Sequence, residues 1–313
     1  MKRLCNNLAF DFSYIRKSKA PLVILLIVVG ICLIFSLIQY DYVMSNYDSY
    51  TRAADLYDGD EARMSADLES GEYDVVESDD GLTTIKNPIL YYKILVGMSI
   101  YSVSGAYSTS HILEVGILIF PFLFTCIGVF LATVDLKNRI YKHKILRYGR
   151  RNYILAKSIS FLLISLIVIL LFVVINRLCV IVLENIIESK INVVDFSYSP
   201  APQGSVIIKI LTAFLIAILY LSIGFLLGTA TRNAIVSVGL TAVYLFILPI
   251  FSRFEIQNCC YVIMKENFNF EGLVGLSDYI SMDAKLSVAV LLLYLLISNL
   301  TSYLVVKLRS AYN

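Results

Sequence analysis

The chain has 313 residues, 58% of them hydrophobic and only 16% charged, with a mean hydropathy of +0.76. Soluble domains carry about 25% charged residues, so this composition excludes an ordinary soluble protein and points to a membrane one. The net charge of +2 excludes little alone, because it averages basic segments against acidic ones.

Residues 1–20 place Leu4, Leu8, Phe12 and Ile15 on one helical face, with Lys2, Asn6, Arg16 and Lys17 elsewhere. That spacing predicts an amphipathic helix lying on the inner leaflet, with membrane lipids as its partner. It bends at Ala20-Pro21 into a first span, residues 21–40. The span is longer than a signal-peptide core, and Asp41-Tyr42-Val43-Met44 after it offers no small-residue cleavage site. An uncleaved anchor is expected.

Residues 41–111 form a large first extracellular loop. Its first part, 41–80, holds 13 acids against Arg52 and Arg63, with helix-compatible runs near 50–70. Its second part, 87–110, is apolar and rich in tyrosine. Gly97, Ser99, Ser102, Ser104 and Gly105 interrupt it, so it is expected to lie along the outer membrane surface. The second span, 112–134, carries Pro121, which predicts a kink.

The loop 135–157 has eight Lys/Arg and one acid, Asp135. Tyr141, Ile145 and Tyr148 recur at i, i+4, i+7 among Lys137, Arg139, Lys142, Lys144 and Arg147, and Gly149 is a natural helix stop. Arg150 and Arg151 then open the next helix. Basic residues here and in the N-terminal helix can anchor the chain to anionic lipid, at about 1 kcal/mol each. An apolar stripe bounded by charge also suits helix-in-groove docking of a partner, and that is the favoured reading.

The third span is 158–183, followed by an outer loop at 184–205. The fourth, 206–229, contains Gly224-Phe-Leu-Leu-Gly228, a spacing that permits close helix packing within or between subunits. A short turn with Arg232 leads to the fifth span, 234–251. The outer segment 252–285 suggests membrane-dipping helices near 261–264 and 268–274, and its adjacent Cys259 and Cys260 are open to oxidation. The sixth span is 286–306, with a tail at 307–313.

Sixteen of the 26 Lys and Arg fall in 1–20, 135–157, 230–233 and 307–313, where only Asp11 and Asp135 are acidic. Short basic loops stay cytoplasmic. The expected fold is therefore an all-α polytopic membrane protein with six transmembrane helices and both termini cytoplasmic. Glu114, Arg177 and Lys209 fall near outer span ends, where they are expected to reach water.

No glycine precedes a lysine, so no phosphate loop is present, and no catalytic or metal-ligand motif occurs. The expectation is a chain that is not itself an enzyme, has no cofactor or metal, and binds no nucleic acid.

This layout resembles the type-2 ABC transporter permeases. The run from Ile145 to Lys157 (Ile-Leu-Arg-Tyr-Gly-Arg-Arg-Asn-Tyr-Ile-Leu-Ala-Lys) resembles the stretch leading from their coupling helix into span three. The resemblance implies the membrane subunit of an ATP-driven exporter in a bacterial plasma membrane. A separate ABC ATPase subunit would dock on residues 138–148 and the N-terminal helix, and a second permease, identical or related, would complete the pathway. The implied coupling residues are Arg139, Tyr141, Lys142, Lys144, Ile145, Arg147, Tyr148, Arg150 and Arg151. Peptide, drug and lipid substrates all fit. The alternative is a non-transporting immunity or sensor protein that binds cationic peptides through the acidic outer loop.

Overall fold

The computed structural model describes residues 2–77, 83–105, 107–137, 140–199, 204–270 and 279–309; at 2–5, 14, 76–77, 83–84, 140–142 and 309 it describes the backbone alone. Helix α1 (Lys2–Lys17) leads into α2 (Ala20–Asp55), whose Pro21 sits in the first turn, where its missing N–H is no loss. After α3 (Glu61–Glu69), strands β1 (Asp74–Glu77) and β2 (Thr83–Lys86) pair antiparallel, with Asp74 opposite Lys86. Then follow α4 (Pro88–Val103), α5 (Ser108–Lys137), α6 (Ile140–Tyr148), α7 (Arg150–Glu188), α8 (Val206–Thr231), α9 (Ala234–Phe246), α10 (Ile256–Asn267) and α11 (Ala284–Arg309). The chain is a helical, multi-pass membrane protein with one small hairpin added to the all-α expectation.

Among the described residues, α2, α5, α7, α8 and α11 are long and apolar enough to cross a membrane. At the centre, α5 packs on α8 at backbone distance, and glycine is what allows it. A Cβ on Gly224 would stand 2.2 Å from the Thr125 carbonyl oxygen, and one on Gly128 2.2 Å from that of Leu221. A Cβ on Gly228 would meet that of Ala132 at 2.7 Å. Gly224 and Gly228 thus serve a contact inside the chain. Phe120, Phe124, Phe161, Phe172, Tyr220 and Phe225 fill the core around it.

The expected fifth span is not one helix. α9 has 13 residues, about 20 Å at 1.5 Å per residue, against a hydrocarbon core of about 30 Å. It stops at Phe246 because Pro249 disfavours helical backbone just before itself. α10 resumes beside Leu245, where Gln257 Nε2 donates to its carbonyl at 3.2 Å. It ends where Asn267 Nδ2 donates to Thr212 Oγ1 near the start of α8. Two shorter helices, α9 and α10, stand where one long helix was expected. Of the expected dipping segments, 261–264 lies within α10, while 271–274 falls outside the described residues.

The segment expected to be extracellular also differs from expectation. α2 has 36 residues and α7 has 39, about 54 and 58 Å long, so both extend well past a bilayer. Their extensions and α4 enclose a second core of Val43, Val96, Val103, Leu183, Ile187, Ile191 and Phe196. Within the 87–110 segment, Val96 and Val103 are therefore buried in this core, and Ile89 and Leu90 are buried against protein as well.

Asn87 closes this domain: it takes left-handed backbone (φ 57°), its Oδ1 accepts from the Leu90 N–H, and its Nδ2 donates to the Asp67 carbonyl at 2.6 Å. Tyr57 donates to Asp67 at 2.7 Å, and burial together with that carboxylate pushes its hydroxyl up to about 12.

The described parts of the four basic segments lie at one end of the bundle. α1 meets α6 and α7 there, the Gly228 end of α8 meets Ala132, and Asn299 Oδ1 accepts from Ser158.

Candidate coupling site at the basic end

Four charged side chains from four helices meet at this end. Lys144 of α6 bonds Asp11 of α1, and reaches Asp135 of α5 at 3.1 Å. Lys157 of α7 reaches Asp135 at 2.9 Å and Asp11 at 3.3 Å. The Tyr153 hydroxyl adds a bond to Asp135 at 2.9 Å. All four charges have side-chain exposures of 4% or less. Two cations and two anions cancel, which is what makes such burial tolerable.

Local sequence explains the convergence. Asn7 and Asp11 stand one turn apart on α1 and face the bundle, where Asn7 Nδ2 donates to the Asn152 carbonyl. Lys144 and Tyr148 stand one turn apart on α6 and face the same way. Gly149 turns the chain between α6 and α7 with φ 84°, a region that favours glycine. The Ile145 carbonyl accepts from its N–H, and the Tyr153 N–H from α7 donates to its carbonyl.

This geometry redistributes the expected coupling residues. Lys144 and Tyr148 are buried and Ile145 is half-buried, so the stripe expected to receive a partner is used by the chain itself. Arg147 and Arg151 are exposed, and Arg150 half-exposed. Arg139, and the side chains of Tyr141, Lys142 and Leu4, lie outside the described residues. Leu8, Phe12 and Ile15 are half-buried.

The surface that is left centres on Leu146, 85% exposed, between His143 and Arg147. Sequence spacing missed Leu146 because it lies off the 141/145/148 stripe. It missed Asp11 because one acid among basic residues reads as a solvent-facing charge.

Comparison with family models, with curated proteins and with solved structures found no match.

A second buried polar group lies at the opposite end. The Tyr107 hydroxyl is 2.7 and 2.9 Å from the two Glu114 oxygens, and His111 Nδ1 is 3.4 Å from one of them. Lys209 donates to Ser110 at 2.9 Å, with the Tyr107 and Phe268 rings at 5.8 and 5.5 Å. Glu114 and Lys209 are both fully buried, so they do not reach water as expected from their place near span ends. Arg177 is exposed and lies against Gly105. Among the described residues no three His, Cys, Asp or Glu side chains gather as metal ligands. Cys259 and Cys260 are free thiols, buried in α10 against the core.

Proposed function

We propose that this chain is the membrane subunit of an ATP-driven exporter, with α6 as the lever that a separate ATPase subunit moves. The supporting observation is the buried four-charge junction. A helix held by ions to α1, α5 and α7 cannot shift without taking them along, because separating one charge leaves its partner buried and unpaired. The exposed face of α6, with Leu146, His143 and Arg147, is the docking surface, and Arg150 and Arg151 at the start of α7 follow it in the chain. In this reading the termini are cytoplasmic, the α9 and α10 pair makes the sixth crossing, and a second permease completes the pathway. The chain's lack of a phosphate loop belongs with a partner that supplies it.

The test is ATP hydrolysis retained by the chain after mild-detergent purification from its native membranes. Wild type is expected to retain it, and a Leu146→Asp/Arg147→Glu variant to lose at least tenfold of it. Equal activity in the two preparations, or none in wild type, sinks the proposal.

The alternative, a non-transporting immunity or sensor protein, draws on the outer domain. Its own core gives a firm base to an acidic surface. That reading predicts cationic-peptide binding with no ATPase in the preparation.

A further inference from the structure

A cavity of about 110 Å³ lies at the edge of the second core, between α4 and the last turns of α7. Ile100 and Val103 of α4, Ile187 of α7 and Val193 of the 3-10 turn that follows give it apolar walls. Two carboxylates, Glu184 and Glu188, and the Ser104 side chain complete the lining. From Lys157 at the basic junction to Glu184 is 27 residues of one helix, about 40 Å. A hydrocarbon core of about 30 Å that starts at the junction ends before the cavity, and Glu188 is exposed. Solutes therefore reach it from water.

The carboxylates lack ion-pair partners. Glu184 Oε1 accepts from the Gly105 N–H at 2.7 Å, which ties the side chain to the turn between α4 and α5. Among the described residues, neither Glu184 nor Glu188 forms an ion pair. Of the cations that flank them in the chain, Arg177 lies against Gly105, and Lys190 donates to the Tyr40 hydroxyl at 2.6 Å. Glu184 and Glu188 stand four residues apart, so their like charges repel across one helical turn. Arg177 set against the two carboxylates leaves one net negative charge.

A third polar group at the wall is unsatisfied: the Ser104 hydroxyl is buried and has no hydrogen-bond partner. An apolar chamber with carboxylates on its exposed side matches a primary ammonium on a short alkyl chain. The ammonium has three N–H donors for the oxygens, and the methylenes suit the walls. Volume sets the length. A cavity of about 150 Å³ takes a benzene, so this one admits a chain of about four carbons, the stem of a lysine side chain. Calcium takes about six to eight oxygen ligands, which apolar walls do not supply.

We propose that this cavity binds the primary ammonium of a short alkyl chain, free or carried on a lysine side chain. Glu184 and Glu188 are its counter-charges, and Ile100, Val103, Ile187 and Val193 enclose the methylenes. The site stands at the end of the bundle opposite the coupling surface and does not rest on the exporter reading.

The test is calorimetric titration of butylammonium into the full chain in nanodiscs of zwitterionic lipid, with empty discs subtracted. Saturable binding is expected, weakened at least fivefold in Glu184→Gln and in Glu188→Gln. Glu184→Gln keeps an oxygen for the Gly105 N–H, and Glu188 is exposed, so the second variant reads the charge even if the first misfolds. Tetramethylammonium, which has no N–H, should bind several-fold more weakly, and butyrate not at all. Acetyl-lysine methylamide separates the two sources: tighter binding than butylammonium supports a lysine side chain, and weaker binding a free amine. No saturable butylammonium binding, equal binding of butyrate, displacement of the amine by equimolar calcium, or unchanged affinity in both variants overturns the site. Binding is read on the chain alone, so the result is the same with or without an attached ATPase.

Discussion

Asp11, Asp135, Lys144 and Lys157 balance one another where water does not reach, so none can change alone without stranding a charge. Lys157→Met should destabilise the purified chain by about 3–5 kcal/mol. The double change Asp135→Leu/Lys157→Met leaves a neutral Asp11–Lys144 pair and should cost less than Lys157→Met alone. Melting midpoints of the three proteins in one detergent check this order; a double variant less stable than the single contradicts charge balance as the basis of the junction. These residues were legible in the sequence only as charge. Lys144 and Lys157 count equally with every other basic residue in a topology argument, and nothing in local spacing shows that Asp11, 133 positions from Lys144, is its partner.

At the scale of elements, the packing of α5 on α8 depends on glycines whose missing Cβ atoms are the contact. Gly224→Ala would force the Thr125 carbonyl away and should cost about 1–3 kcal/mol. Gly239 of α9 has nothing within 4 Å of where a Cβ would stand, so Gly239→Ala should be neutral or slightly stabilising. Thermal unfolding of both variants checks the contrast, and equal effects would show that the close approach is not what holds the pair. The five long spans could be read from apolar length alone, and Gly224 and Gly228 from their spacing. The end of α9 could not, because residues 234–251 stay apolar throughout and only Pro249 hints at the stop. The reversal of α6 was hidden for a similar reason: a stripe of Tyr and Ile suits a partner's groove and the chain's own bundle equally.

The whole molecule has two dissimilar ends joined by long helices. One end is basic and held by a neutral buried junction. The other carries an acidic domain on the extensions of α2 and α7, with its own core. Charge counts along the sequence suffice to separate these ends, since opposite signs are sorted by segment. The domain's packing was not visible, because the apolar face of α4 reads the same against lipid as against Phe196 and Leu183. If the basic end receives force, Leu146 is the exposed point that receives it. The most direct measurement places a photo-crosslinking amino acid at Leu146 in living cells and identifies the adduct by mass spectrometry. An adduct to a nucleotide-binding ATPase subunit is predicted; adducts to lipid or to the chain's own residues alone would contradict the exporter reading.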